Sequence, residues 1–227
     1  MEVHAPHYPI MSKKEFLVHL LAITIGLLIA VGIEGCVELY REHSLVKEAR
    51  RTLRDEIQYN SDKMAAALPE IEKEKTSVAD SIKFLTRIME NPKDKAAQSG
   101  SINAGFSMVG LHDTAWKTAQ ATNALAYMPY AEAQRYSNLY GSQKDFTTQE
   151  DKLVEDEAQL LGVFAKTDFG HGDVTPEQAS LALERFGVWR GHLVYLSLMA
   201  KLTAASDKAF LEGNEAPSSM EEKLSNK

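Results

Sequence analysis

His112-Asp113 and His171-x-Asp173 are two places in this chain where an imidazole and a carboxylate lie side by side, each beside a loop. One pair from each place would supply ligand types suited to a divalent cation. Their spacing does not demand one. A zincin carries H-E-x-x-H on one helix, and a di-iron bundle carries paired E-x-x-H motifs. Neither occurs, so exposed or capping roles are expected. His4 and His7, with Pro6 and Pro9, offer a metal-binding or partner-binding tail; the plainer reading is a disordered stub. His192 lies on an apolar stretch, where a satisfied core histidine is expected.

Aromatic residues give a second candidate. Trp116, Lys117 and Gln120 share the short segment TAWKTAQAT. Trp116 and Gln120 with Tyr127, Tyr130 and Tyr136 would suit a ligand or partner groove, because rings with a polar edge line small-molecule clefts. The plainer reading, and the favoured one, makes them the core of a helical bundle and its wet rim.

Nucleophilic and phosphate chemistry finds no motif: G-x-S-x-G, Walker A and G-x-G-x-x-G are all missing. No cofactor motif is present either. The single cysteine, Cys36, excludes an intramolecular disulfide framework and a Cys-cluster metal site. With 25 Lys+Arg against 32 Asp+Glu the formal net charge is −7, which argues against a general nucleic-acid partner.

The elements that would hold these residues start with a membrane segment. Residues 16–33, FLVHLLAITIGLLIAVGI, contain no Asp, Glu, Lys or Arg. Phe16 opens the run, Gly26 sits within it and Ile33 closes it. At about 1.5 Å per residue it covers about 27 Å, close to a hydrocarbon core of roughly 30 Å. A single spanning helix in a lipid bilayer is expected, with residues 34–40 as an interfacial extension. The run is too long for an ordinary signal-peptide core and no A-x-A site follows. Cys36 invites a lipoprotein reading, but Glu34 stands where a small neutral residue is wanted. Glu34 is expected at the interface. Lys13 and Lys14 precede the run, whereas Arg41, Lys47, Arg50, Arg51 and Arg54 follow it. That count alone would keep the following domain in the cytoplasm; long domains translocate despite such charges. The signal-anchor pattern favours N-in, C-out.

Beyond the membrane run, Leu45, Ala49, Leu53, Ile57, Met64, Leu68, Ile71, Val78, Ile82, Leu85 and Met89 form one stripe at helical period. Pro69 either kinks this helix or begins a second one; the stripe stays in phase across it, which favours a kink or a tight break. The helix is expected to be continuous with the membrane run. Residues 92–105 read as a loop. His112-Asp113-Thr114 offers an N-cap for a helix over 115–121. Residues 123–128 read as a connector, and Pro129 as the first residue of a helix with Tyr130, Ala133, Tyr136, Tyr140, Leu153, Val154, Leu161 and Phe164 on its apolar face. The polar middle, 143–151, is expected to be exposed or frayed. Thr175-Pro176-Glu177-Gln178 is a strong helix start. The last helix runs to about Leu211. One of its stripes is Ala182, Phe186, Trp189, Leu193, Leu196, Ala200 and Thr203; a second is Leu181, Val188, Tyr195, Met199 and Leu202, so burial on two sides is expected. The fold class is therefore all-α: an N-terminal transmembrane helix running into a long helix, then an antiparallel helical bundle. The organisation is a tail (1–15), the membrane helix and its extension (16–40), a bundle (41–213) and a polar tail (214–227).

The stretches MEVHAPHYPIMSKKEFLVHLLAITIGLLIAVGIEG and VELYREHSLVKEARRTLRDEIQYN, with AWKTAQATNALAYMPYAEAQRYSNLYGSQ further on, resemble a group of uncharacterised bacterial single-pass membrane proteins. Those have a short His/Pro tail, one span and a basic-acidic helix of the V-x-E-A-R type. The resemblance implies a bacterial inner-membrane setting and a helical soluble part; it implies no activity. The function expected is a membrane-anchored interaction or scaffold protein without catalysis, working with a protein partner or as a homo-oligomer. The near-heptad stripe over 45–68 and the small residues of the span fit self-association, although packing within one chain explains the stripe more simply. A periplasmic small-molecule-sensing module that signals through a membrane partner is the alternative. An enzyme with a hidden site is the least favoured.

Overall fold

The computed structural model describes residues 12–103, 105–169 and 172–214. The regular elements among them are helical: α1 (Lys13–Glu90), α2 (Thr114–Ala121), a 3-10 turn (Ala124–Tyr127), α3 (Tyr130–Thr167) and α4 (Pro176–Leu211). The all-α class read from the sequence is found. The chain divides into two compact units between Glu48 and Ala49.

The first unit holds the opening of α1. Ser12 N–H donates to Glu15 Oε2 at 2.8 Å, and Glu15 N–H donates to Ser12 Oγ at 3.4 Å. This reciprocal pair is a capping box, which satisfies two amides that a helix start leaves open. The apolar window that follows has mean hydropathy 2.6 and is 0% buried. Its polar side chains turn to their own helix: Thr24 Oγ1 donates to the Leu20 carbonyl at 2.8 Å, and His19 Nδ1 lies 3.3 Å from the Glu15 carbonyl. A hydroxyl satisfied within its own helix tolerates hydrocarbon. By length and composition, α1 carries a stretch able to cross a membrane. Cys36 is a free, exposed thiol.

The second unit is a bundle of three long helices. On α1 the inward positions Leu53, Ile57, Asn60, Met64, Ile71, Val78, Ser81, Leu85 and Ile88 follow spacings of three, four or seven and are buried. On α4 the inward positions Ala179, Ala182, Phe186, Trp189, Leu193, Leu196, Ala200, Thr203 and Asp207 repeat at three and four without a gap. That spacing is the seam of left-handed helix packing. Phe186 and Trp189 stack at 5.9 Å with their planes 4° apart. α1 passes through Pro69 as one helix, at the cost of the amide bond that residue 69 would give to the Ala65 carbonyl.

Side-chain pairs fix the directions. Arg50 meets Glu132, Glu56 meets Tyr140 and Asn60 meets Gln143, so α1 and α3 run parallel. Ser142 meets Thr203 and Gln159 meets Arg185, so α4 runs antiparallel to α3. Thr175 starts α4 as expected, with Gln178 N–H on its hydroxyl and its own N–H on the Gln178 side chain.

Parallel neighbours need a crossover. After turns over residues 91–99, residues 105–113 complete it as a strap laid back along the bundle. Asn103 N–H donates to Ser81 Oγ at one end, and Ala115 N–H donates to Glu56 Oε2 at the other. Residues 56 and 81 are about 38 Å apart on a straight helix. The strap covers that distance between residues 103 and 115, which about 40 Å of extended chain allows. A compact loop would not reach. Gly100 lies against Phe84 so closely that a Cβ there would overlap the ring.

Several expectations are corrected. Asp113 stands at the N-cap position of α2 without a side-chain cap bond; it pairs with Lys117 at 2.8 Å instead. Pro129 is the N-cap of α3 rather than its first turn. The polar middle of α3 is not frayed and is exposed on one side only: Lys144, Asp145, Thr148 and Asp151 are exposed, whereas Gln143, Phe146, Gln149 and Glu150 are buried within a continuous helix. Tyr130, Val154 and Leu161 of the expected apolar face are exposed. The second stripe of α4 is not buried either, with Leu181, Val188 and Tyr195 exposed. On α1, Met89 is exposed. In each case helical spacing marks a face, but another helix must lie against that face to cover it.

Candidate functional site

An extended strap carries unpaired amides, and those that face the helices need acceptors. The acceptors come from the helix seams. Phe106 N–H donates to Glu157 Oε2 at 3.4 Å and Val109 N–H to Glu150 Oε1 at 2.6 Å. His112 N–H donates to Asn60 Oδ1 at 2.8 Å. Ala115 and Trp116 N–H both donate to the Glu56 carboxylate, at 2.8 and 3.3 Å. Glu56 thus caps α2 from a different helix. A carboxylate at a helix N-terminus also meets the positive end of its dipole.

The same side chains continue into the core. Asn60 Nδ2 donates to the His112 carbonyl at 2.7 Å and to Gln143 Oε1 at 2.8 Å. Gln143 Nε2 donates to Asp207 Oδ1 at 2.9 Å. One ladder therefore joins the strap, α1, α3 and α4. Asn60, Glu150 and Asp207 are 0% exposed. Glu150 Oε2 and Asp207 Oδ2 have no hydrogen-bond partner among the described residues. Burial pushes the Glu150 carboxyl up to about 7, against the opposing Val109 amide. It pushes Asp207 up to about 6, against the Gln143 bond. Burial raises Glu74 as well, with Glu157 adding to the effect. Tyr140 is raised by burial and by its bond to Glu56.

Glu72 behaves oppositely. Bonds from Lys201, Lys75 and Ser197 lower its carboxyl to about 2. Lys201 and Ser197 come from α4, at 2.8 and 2.7 Å, so this group ties α1 to α4. Asp156 Oδ2 lies 2.7 Å from His192 Nδ1; the histidine is partnered as expected, but with 39% of its side chain exposed it is not in the core.

The five aromatic and amide candidates are distributed as follows. Trp116 is half-buried and stacks on Tyr140 at 5.0 Å, 12° between planes. Tyr136 is buried and meets Phe210 at 5.0 Å. Gln120, Tyr127 and Tyr130 are exposed, Tyr130 at 82%. Trp116 and Tyr136 thus each contact a ring outside the set. His112 stacks on Tyr59 at 4.4 Å. Among the described residues no three His, Cys, Asp or Glu side chains cluster as metal ligands; His4, His7 and His171 lie outside the described residues.

Sequence reasoning passed over Glu56, Asn60, Glu150 and Asp207. The available signal was a polar residue recurring in register with an apolar seam. Arg50, Arg54 and Arg135 were equally unremarked as a group. They border one cleft near the C-terminal end of α4. No family model, curated protein or solved structure matches the chain.

Proposed function

We propose that the protein is a membrane-anchored helical interaction or scaffold protein of the bacterial inner membrane, with its bundle on the periplasmic side. The observation that carries this reading is the 18-residue apolar window of α1, which is 0% buried. Exposing that much apolar surface to water is costly, and a bilayer removes the cost. The resemblance to bacterial single-pass proteins supports the setting. The signal-anchor pattern supports the side.

The scaffold part draws on the bundle surface. Leu181, Val188 and Tyr195 are exposed and seven residues apart on α4, a spacing that one partner helix can follow. Docking along this face, without chemistry on a substrate, is the mechanism proposed. Two experiments test it. A reporter active only in the periplasm, fused after Gly213, is expected to be active, and the membrane fraction is expected to retain the protein through an alkaline carbonate wash. An inactive but stably expressed fusion overturns the periplasmic assignment; release by carbonate overturns the anchor. For docking, a photo-crosslinker at Val188 is expected to give a discrete adduct in cells, while one at Lys152 gives none. Equal behaviour at the two positions counts against this face.

A further inference from the structure

Two helices bring three guanidinium groups to one cleft in the bundle. It has a volume of 360 Å³ and is lined by Arg50, Arg54, Glu132, Arg135, Tyr136 and Phe210. The three cations are not equivalent. Arg50 is committed: Nε and Nη2 clasp both Glu132 oxygens at 2.6 and 2.7 Å. That fork neutralises Arg50 and also occupies the one carboxylate bordering the cleft.

Arg54 and Arg135 are held differently. Arg54 Nη2 donates to the Leu211 carbonyl at 3.0 Å, and Arg135 Nη2 donates to the Asn214 carbonyl at 3.0 Å. Arg135 also lies over the Phe210 ring, 5.3 Å from its centroid. All these partners are neutral. Among the described residues no carboxylate pairs with either cation. A guanidinium has five N–H donors, so each retains most of them. Among the described residues, two charges therefore stand beside a ready-made wall without a carboxylate partner, offset in part by the negative end of the α4 dipole.

We infer that this cleft is a binding site for a phosphate group, held between Arg54 and Arg135. Two planar donor forks suit a tetrahedral anion with several oxygens. The charge also fits: a phosphate dianion balances both cations, whereas a carboxylate balances one. The Arg50–Glu132 pair engages the one carboxylate among the residues lining the cleft. The phosphate has two natural sources, the phosphomonoester headgroup of a lipid such as phosphatidic acid or a small phosphate monoester in solution. The site belongs to the bundle and does not depend on which side of a membrane the bundle occupies.

The test uses the full chain. In a phosphate-free nonionic detergent, inorganic phosphate and glycerol 1-phosphate are titrated by calorimetry. Saturable binding that weakens with added sodium chloride is expected. R54Q and R135Q are each expected to weaken it by about tenfold or more. R54K and R135K, which keep the charge, are expected to retain part of it. K117Q, a basic residue elsewhere, is expected to bind as the parent does. Melting curves of each variant separate loss of the site from loss of the α4 terminus. Repeating the titration in nanodiscs containing phosphatidic acid distinguishes the sources: abolished binding there assigns the site to a headgroup, and unchanged binding assigns it to a soluble ester. Absence of binding by both probes in detergent, or wild-type affinity in folded R54Q and R135Q, overturns the proposal.

Discussion

The Tyr140 hydroxyl on α3 donates to Glu56 Oε1 on α1 at 2.8 Å, and the same carboxylate receives the first two amides of α2. One side chain thus serves three elements. E56A is expected to destabilise the bundle by about 1–3 kcal/mol, the usual cost of orphaning buried partners and removing a cap. Y140F leaves the cap in place and is expected to cost about 1 kcal/mol. Urea denaturation followed by tryptophan fluorescence measures both. If the two variants lost equal stability, Glu56 would not be acting as the shared cap.

The ladder from His112 through Asn60 and Gln143 to Asp207 makes a different prediction. N60L fills the seam with an apolar side chain of similar size, so simple hydrophobicity predicts stabilisation. The structure predicts a loss of about 2–4 kcal/mol, because the His112 amide and the Gln143 side chain lose their partner in the core. N60D is expected to lose stability as well, since it replaces the donor to Gln143 with an acceptor. Equilibrium unfolding decides between a structural ladder and a tolerated polar residue.

Glu150 and Asp207 set a pH dependence. Both carboxyls lie above their ordinary values of 4.5 and 3.8, at about 7 and about 6. A group raised by folding binds its proton more tightly when folded. Its contribution is complete below the ordinary value and is lost as pH rises through the folded one. Stability should therefore fall between about pH 4 and pH 7 on their account. Glu72, lowered to about 2, works in the other direction, with a contribution present above 4.5 and lost as pH falls. It is partly exposed, so its share is screened. The clean comparison is E150Q with the parent. The variant keeps an acceptor for Val109 and carries no charge, so its melting midpoint should gain on the parent's as pH rises from 5 to 8. Parallel curves would mean that Glu150 does not titrate in that range.

The membrane reading makes its own prediction. L28R puts a charge in the middle of the apolar window, at a cost of about 2.5–3.5 kcal/mol for insertion. The variant is expected to appear partly in the soluble fraction after carbonate washing. A T24V variant should stay in the membrane, since Thr24 spends its hydroxyl on the Leu20 carbonyl. Retention of L28R equal to the parent's would argue against a spanning helix.

What could be read from the sequence followed from local signals. Thr175-Pro176-Glu177-Gln178 announces α4, because the cap, the proline and the returning glutamine act within one turn. Leu53, Ile57 and Met64 announce the buried face of α1 by spacing alone. The Ser12–Glu15 box is equally local, an S-x-x-E pattern that the sequence reading passed over. The strap was not legible, because nothing within 105–113 states that it must run extended against two helices. Asn60 and Glu150 look like breaks in a seam until the strap's amides are seen to need acceptors. The middle of α3 misled for the same reason: Gln143 and Glu150 are polar because their partners are backbone and amide groups in the core. The arginine cleft gathers residues from positions 50, 54 and 135, a separation no pattern within one helix can reveal.

The parallel pairing of α1 and α3 has a consequence for how the chain is made. Two antiparallel helices joined by a short loop can zip together as they leave the ribosome, as α3 and α4 can. The inner face of α1 cannot be closed in that way. Ile88 ends its seam, and the helices that cover it, α3 and α4, begin 42 and 88 residues later. At typical elongation rates those intervals last about 2–8 s and about 4–18 s. Until α3 and α4 emerge, Leu53 to Ile88 is an uncovered amphipathic surface on a growing chain, and a holding chaperone is its natural first neighbour.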